Sequence, residues 1–172
     1  MPDQHDRERF AALFDALSPR VYAYARRQCA PPDAQDVVAD TFLVAWRRLD
    51  DVPDPPLPWL LVVARNTIAS RYRAQRRRDR LTDAAATLER LAGPAAGADQ
   101  GVVERAEMLA ALAGLTELER EAILLVAWDA LSNRDAARVA GCSQRAFEVR
   151  LSRARARLGR ATAATTNGAV TA

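Results

Sequence analysis

Apolar residues return at helical spacing along most of this chain. Phe10, Leu13, Phe14 and Leu17 recur every three or four positions, which predicts an amphipathic helix over 6–17. Ser18-Pro19 reads as an N-cap followed by proline at the first helical position, opening a second helix that carries Val21, Tyr22, Ala25 and Cys29. Pro31-Pro32 stops it. Asp33 then caps a third helix reaching Leu49, with Val38, Phe42, Ala45 and Leu49 as its apolar stripe and Asp36, Asp40 and Arg47 elsewhere on its surface. Four prolines within 50–58 exclude regular structure there. From Trp59 to about Arg78 runs a long helix whose first half, WLLVVA, belongs in a core and whose second half interleaves arginine with Asn66 and Tyr72.

The pattern then fades. Residues 81–102 are rich in Ala, Gly and Asp, broken by Gly93-Pro94 and Gly97, and read as a flexible linker with room for a short helix at 81–91. A helix restarts over 103–113. Thr116-Glu117-Leu118-Glu119 is a capping box for the next, whose apolar positions are Ile123, Leu124, Val126 and Ala127. Ser132 to Asp135 repeats that capping logic. The tail from 161 to 172 has no periodicity and little to bury, which predicts disorder. The pattern therefore predicts an all-α protein of two small helical domains, 6–80 and 103–160, joined by a flexible linker.

Residues 132–157 carry the strongest local signal. Ala137, Gly141 and Phe147 stand at helix-turn-helix spacing: a small residue lets two helices cross closely, a glycine turns the chain, and an apolar residue pins the second helix. The second helix offers Arg145, Arg150, Arg153, Arg155 and Arg157 to solvent, as helices that lie in the DNA major groove do. The alternative is an ordinary helical hairpin with a solvated arginine face.

Charge distribution weighs against that alternative. All 25 basic residues are arginine, which by itself says nothing about partners. Their placement says more. Residues 59–80 hold seven Arg against Asp79 alone, and 133–160 hold eight against Asp135 and Glu148, so each block carries +6. Acidic stretches, −5 over 81–121 and −4 over 33–54, separate and precede them. Two basic blocks suggest two phosphate-facing surfaces, and the acidic ones suggest a different partner. Cys29 and Cys142 lie far apart and His5 is the one histidine, so nothing implies a metal, a cofactor or a disulfide framework. The N-terminus lacks an apolar signal core, and Leu57 to Ala64 is too short to span a bilayer; the expectation is a cytoplasmic protein with no membrane insertion.

Both halves resemble bacterial sigma factors of the extracytoplasmic-function group of the sigma-70 family. In the first half, Asp33-Ala34-Gln35-Asp36-Val37-Val38-Ala39-Asp40-Thr41-Phe42, Ala45-Trp46-Arg47-Arg48-Leu49, Trp59-Leu60 and Ala64-Arg65-Asn66 are similar to region 2. In the second, Leu131-Ser132, Ala140-Gly141-Cys142-Ser143, Arg150-Leu151 and Arg153-Ala154-Arg155 are similar to region 4. The resemblance implies a promoter-specificity subunit that binds core RNA polymerase at its β′ clamp helices and β flap, recognises promoter DNA and has no catalytic activity. It also implies an anti-sigma factor as a possible partner. Asp36, Asp40, Leu43 and Arg47 become polymerase-facing candidates, with Phe42, Ala45 and Leu49 as core. Asn66 could read a flipped base through its amide while Arg65, Arg71, Arg73, Arg76 and Arg77 track phosphates in the −10 region. Trp59 reads as a core anchor ahead of a stacking platform.

Gln144, Arg145, Glu148, Val149, Ser152 and Arg153 are the candidates for the −35 element. Departures from the family's pattern bear on specificity. Ser70 stands where the family often has Asp, and the proline-rich loop lacks the aromatics often found before the Trp. Arg145, Phe147 and Glu148 replace the usual Gly, Val and basic residue. Glu148 either accepts a hydrogen bond from cytosine N4 or pairs with Arg145 or Arg155 along its helix. Two other functions stay open on the sequence: a stand-alone helix-turn-helix regulator, and an RNA-binding adaptor.

Overall fold

The computed structural model describes residues 3–76 and 101–169, which form seven α-helices and one short 3-10 turn, with no strand among the described residues. The chain divides into two compact units, Met1–Arg90 and Leu91–Ala172. Residues 77–100, and with them most of the expected linker, lie outside the described residues; positions 101 and 102 already belong to a helix.

The first unit is a three-helix arrangement of α1 (Gln4–Arg26), α2 (Pro31–Arg47) and α3 (Leu57–Arg76), each packed on the other two. Asp3 and Asp6 close a reciprocal capping box at the start of α1. The two helices expected over 6–29 are one, with Pro19 inside it. Proline removes one amide donor and crowds the carbonyl of Asp15, but both residues are exposed, so water can serve that carbonyl. Tertiary packing holds the helix together on both sides of the proline. Phe10 and Phe14 lie against Phe42 at ring distances of 6.2 and 4.8 Å, and Phe10 lies 5.0 Å from Trp46. Beyond the proline, Val21, Tyr24 and Ala25 are buried.

Pro31 and Pro32 start α2 rather than stop its predecessor, with Ala30 as N-cap in place of the expected Asp33. Proline suits the first helical turn, where its missing N–H would have no intrahelical acceptor. The buried face of α2 is Ala34, Val37, Thr41, Phe42 and Ala45, so Val38 is only half-buried. Helix α2 stops at Arg47, short of the expected Leu49; Leu49–Asp51 forms a 3-10 turn that runs into the stretch expected to be irregular, and Leu49 is buried. Leu57, Leu60, Leu61, Ala64 and Ile68 make the buried stripe of α3, which begins two residues earlier than Trp59.

The second unit comprises α4 (Gly101–Ala113), α5 (Glu117–Ala127), α6 (Asn133–Ala140) and α7 (Gln144–Ala169). Packing of α4, α5 and α6 on α7 makes α7 its central element. Leu115, Ala122, Leu125, Leu131, Ala136, Val139, Phe147, Leu151 and Ala154 are buried there. On α5 the buried positions are Glu119, Ala122 and Leu125, while Ile123, Leu124 and Val126 are half-buried and Ala127 is exposed. Helix α7 continues to Ala169, so 161–169 is helical where disorder was expected. Alanine is a strong helix former, and a helix already nucleated on a packed core extends at low cost.

Candidate nucleic-acid interface

The turn between α6 and α7 is built by local chemistry. Ser132 caps α6 through its hydroxyl, which accepts from the Asp135 amide at 3.1 Å. At the other end Gly141 takes left-handed backbone (φ 67°), a conformation costly for any residue bearing a Cβ. Its amide donates to Arg138 O at 3.1 Å, and that of Cys142 to Ala137 O at 3.0 Å, the paired bonds that end a helix on a glycine. Ser143 then caps α7, accepting from the Ala146 amide at 3.2 Å. Ala137 (2% exposed) and Phe147 (0%) are both buried in this pair of packed helices.

Burying Phe147, Leu151 and Ala154 turns one face of α7 inward. At about 100° per residue, Arg145 and Val149 lie opposite that face, with Ser152 and Arg153 on either side of them and Glu148 at the flank. All six sequence candidates, Gln144 included, are exposed. Gln144 donates its side-chain amide to Glu148 Oε1 at 2.9 Å, so this carboxylate is held by the residue one turn back and not by either expected arginine. Of the arginines predicted to face solvent, Arg150 is half-buried, and Arg157 donates to Glu119 at 2.9 Å.

That last contact anchors the helix from behind. Glu119 is buried and closes the capping box with Thr116: its amide donates to the threonine hydroxyl, and its carboxylate accepts from both the Thr116 amide and the hydroxyl. Its carboxyl is held below the usual carboxylate range, chiefly by the Thr116 amide and then by the hydroxyl. Burial opposes the shift, and attraction to Arg157 and Arg153 adds to it. The neighbouring Arg120 donates to Leu112 O, Ala113 O and Leu115 O, satisfying carbonyls at the end of α4.

The carboxyl of Glu119 titrates lower folded than unfolded. Its contribution is therefore complete above the ordinary carboxylate pKa and is lost as pH falls through the folded value. Thr116→Ala should cost about 1 kcal/mol near neutral pH and make acid unfolding less steep. Thermal melts across a pH series check both, and an unchanged neutral melting temperature would contradict the assignment.

In the first unit, Asn66 and Arg73 are exposed on α3 seven residues apart, two turns along one face. Arg65 is half-buried, as is Trp59. The side chain of Arg76 and the whole of Arg77 lie outside the described residues. Tyr72 is fastened to the α1–α2 turn, its hydroxyl donating to Gln28 O at 2.6 Å. On α2, Asp36, Leu43 and Arg47 are exposed and Asp40 is half-buried, which puts the polymerase-facing candidates at or near the surface. Leu43, 45% exposed beside buried Phe42, is an apolar side chain with no place in this unit's core.

One grouping was not foreseen. Arg71, a DNA candidate, donates from Nη1 to Asp36 at 2.9 Å and from Nη2 to Asp40 at 2.7 Å, so it joins two polymerase candidates. The bond to Asp40, then that to Asp36, holds the guanidinium still more firmly in its charged form. The i, i+4 spacing of the two aspartates was legible, but their acceptor role across α3 needs the tertiary fold.

Comparison with known proteins decides what these two units are. The family Sigma-70 region 2 matches residues 13–78, and Sigma-70, region 4, matches 105–158. The RNA polymerase sigma factor CnrH of Cupriavidus metallidurans is 41% identical over 137 residues, 73% of this chain and 71% of that protein. The ECF RNA polymerase sigma factor EcfG of Rhodopseudomonas palustris is 35% identical over 83% of this chain and 79% of its own length.

The chain is an extracytoplasmic-function sigma factor of the sigma-70 family.

Solved structures agree with this. The sigma factor RpoE in complex with the anti-sigma factor NepR from Bartonella quintana matches with a TM-score of 0.65 at 26% identity, covering 89% of this chain and 96% of that one. CnrH in complex with the cytosolic domain of CnrY matches at 0.59 and 31%, covering 90% and 88%. The region 2 match gives the first unit a partner in transcription initiation, which neither a stand-alone regulator nor an RNA adaptor would require. Sigma factors are not enzymes as a family. Among the described residues, no helix of this one is long and apolar enough to cross a membrane.

Proposed function

We propose that this sigma factor directs core RNA polymerase to promoters through three surfaces of its own. The exposed side of α2, with Asp36, Asp40, Leu43 and Arg47, docks on the polymerase. Helix α3 meets the opened −10 region, Asn66 hydrogen-bonding an extruded base while Arg65 and Arg73 follow the backbone, as do Arg76 and Arg77 in the sequence that follows. Helix α7 enters the major groove at the −35 element. The observation that carries this reading is the two-sidedness of α7: one face is locked into a core by Phe147, Leu151 and Ala154, and the other presents Arg145, Glu148, Val149, Ser152 and Arg153. Chemistry belongs to the polymerase; this chain contributes recognition without catalysis or a cofactor, in the cytoplasm where the polymerase works. One structural relative is bound by an anti-sigma factor and another by the cytosolic domain of CnrY, and an anti-sigma partner would restrain this protein in the same way.

Glu148 gives the reading its test. Gln144 holds one carboxylate oxygen, which leaves the other to accept from cytosine N4, a contact that discriminates by about 1–3 kcal/mol. Holoenzyme carrying Glu148→Lys should select a −35 element that differs from the wild-type choice at one or two adjacent positions, with the −10 choice unchanged. An identical −35 selection would remove Glu148 from the reading surface.

A further inference from the structure

The Arg71 clasp joins two surfaces that are assigned to different partners, and this suggests a function for the clasp itself. Asp36 and Asp40 lie one turn apart on α2, so their carboxylates stack and meet the two ends of one planar guanidinium from α3. The side chains keep 38% (Arg71), 64% (Asp36) and 48% (Asp40) of their exposure, so each bridge competes with water. Pairs this exposed contribute only about a two- to fivefold bias. A cation from outside can displace Arg71 at little cost.

We propose that Arg71 couples polymerase binding to DNA binding. In the free protein Asp36 and Asp40 hold its guanidinium. When a cationic segment of the polymerase takes those carboxylates, the guanidinium swings out to the phosphates of the opened strand. This rests on the proposed roles of α2 and α3. It makes Arg71 a competitor for the polymerase's site before docking and a DNA ligand afterwards. Linkage requires the effect to run both ways: DNA that engages Arg71 leaves the aspartates open and tightens polymerase binding by the same factor.

Arg71→Gln separates this from a merely structural bridge. Full-length protein carrying it should bind core polymerase about two- to fivefold more tightly than wild type without DNA, because the carboxylates no longer have an internal partner. A −10 single strand should bind the variant's holoenzyme several-fold more weakly, while the free variant binds that strand as the free wild type does. In the free protein, Asp36→Asn with Asp40→Asn should raise strand affinity, and adding Arg71→Gln should cancel the gain. Unchanged or weaker core binding by Arg71→Gln would overturn the coupling, and so would a strand-affinity gain that survives in the triple variant. Arg73→Gln and the double asparagine variant report on the underlying reading. If the first leaves strand binding by the holoenzyme unchanged, or the second leaves core affinity unchanged, the surface assignments fail and the coupling with them. If both lose affinity as assigned and Arg71→Gln does not gain it, only the coupling fails.

Discussion

Phe147→Ala should unfold the second unit while leaving the first intact. The ring is fully buried on α7, in a unit whose other large buried side chains are few: Leu125, Leu151 and Val139 are typical. Truncating a buried phenylalanine costs about 3–5 kcal/mol in lost transfer energy and cavity, and a single core of this size rarely supplies more than about 3–5 kcal/mol in total. The balance falls near zero. Amide exchange should show residues 117–158 losing protection together, with α1–α3 keeping theirs. Holoenzyme made with the variant should no longer distinguish promoters by their −35 element. Wild-type protection over 133–154 would contradict the packing assigned to Phe147.

The mirror experiment is Phe42→Ala in the first unit. Phe42 is 2% exposed, with the rings of Phe14 and Phe10 standing edge-on against it at 4.8 and 6.2 Å. The same cavity argument gives a loss of about 3–5 kcal/mol, and edge-to-face ring contacts add about 0.5–1.5 kcal/mol each. The half of α1 before Pro19 holds to α2 largely through these rings, so it should come away first. The near-ultraviolet circular dichroism of the aromatic cluster should collapse, and binding to core polymerase should fall because Leu43 and Asp40 flank Phe42 on the same helix. Undiminished polymerase affinity would place the docking surface elsewhere.

What was legible in the sequence was what local chemistry decides. The Thr116–Glu119 capping box, the Ser132 cap, and the spacing of Ala137, Gly141 and Phe147 each need only a few neighbouring residues, and each appears as expected. Reading failed where distant packing overrides a local signal. Pro19 looked like a helix start, but aromatic contacts before it and burial after it keep α1 continuous. Pro31-Pro32 looked like a stop and is a start, because proline serves either end and the caps do not tell which. Choosing Val38 over Val37 for the core was an error of one position, a turn of about 100°. The two arginine blocks were visible as charge, but which arginines are already engaged was not. Arg71 finds its partners 31 and 35 residues away, and Arg157 finds Glu119 at a separation of 38. Glu148 carried the same ambiguity on a smaller scale, and its carboxylate accepts from Gln144, a neighbour the sequence reading had not paired with it.

The most direct test of the account is transcription in vitro with purified core polymerase, this sigma factor and a genomic promoter library. The account predicts start sites that depend on the protein and share two spaced elements, with the −35 preference lost in Phe147→Ala and initiation reduced in Phe42→Ala. Tight, symmetric binding to duplex DNA by the protein alone, with no initiation from any template, would contradict it.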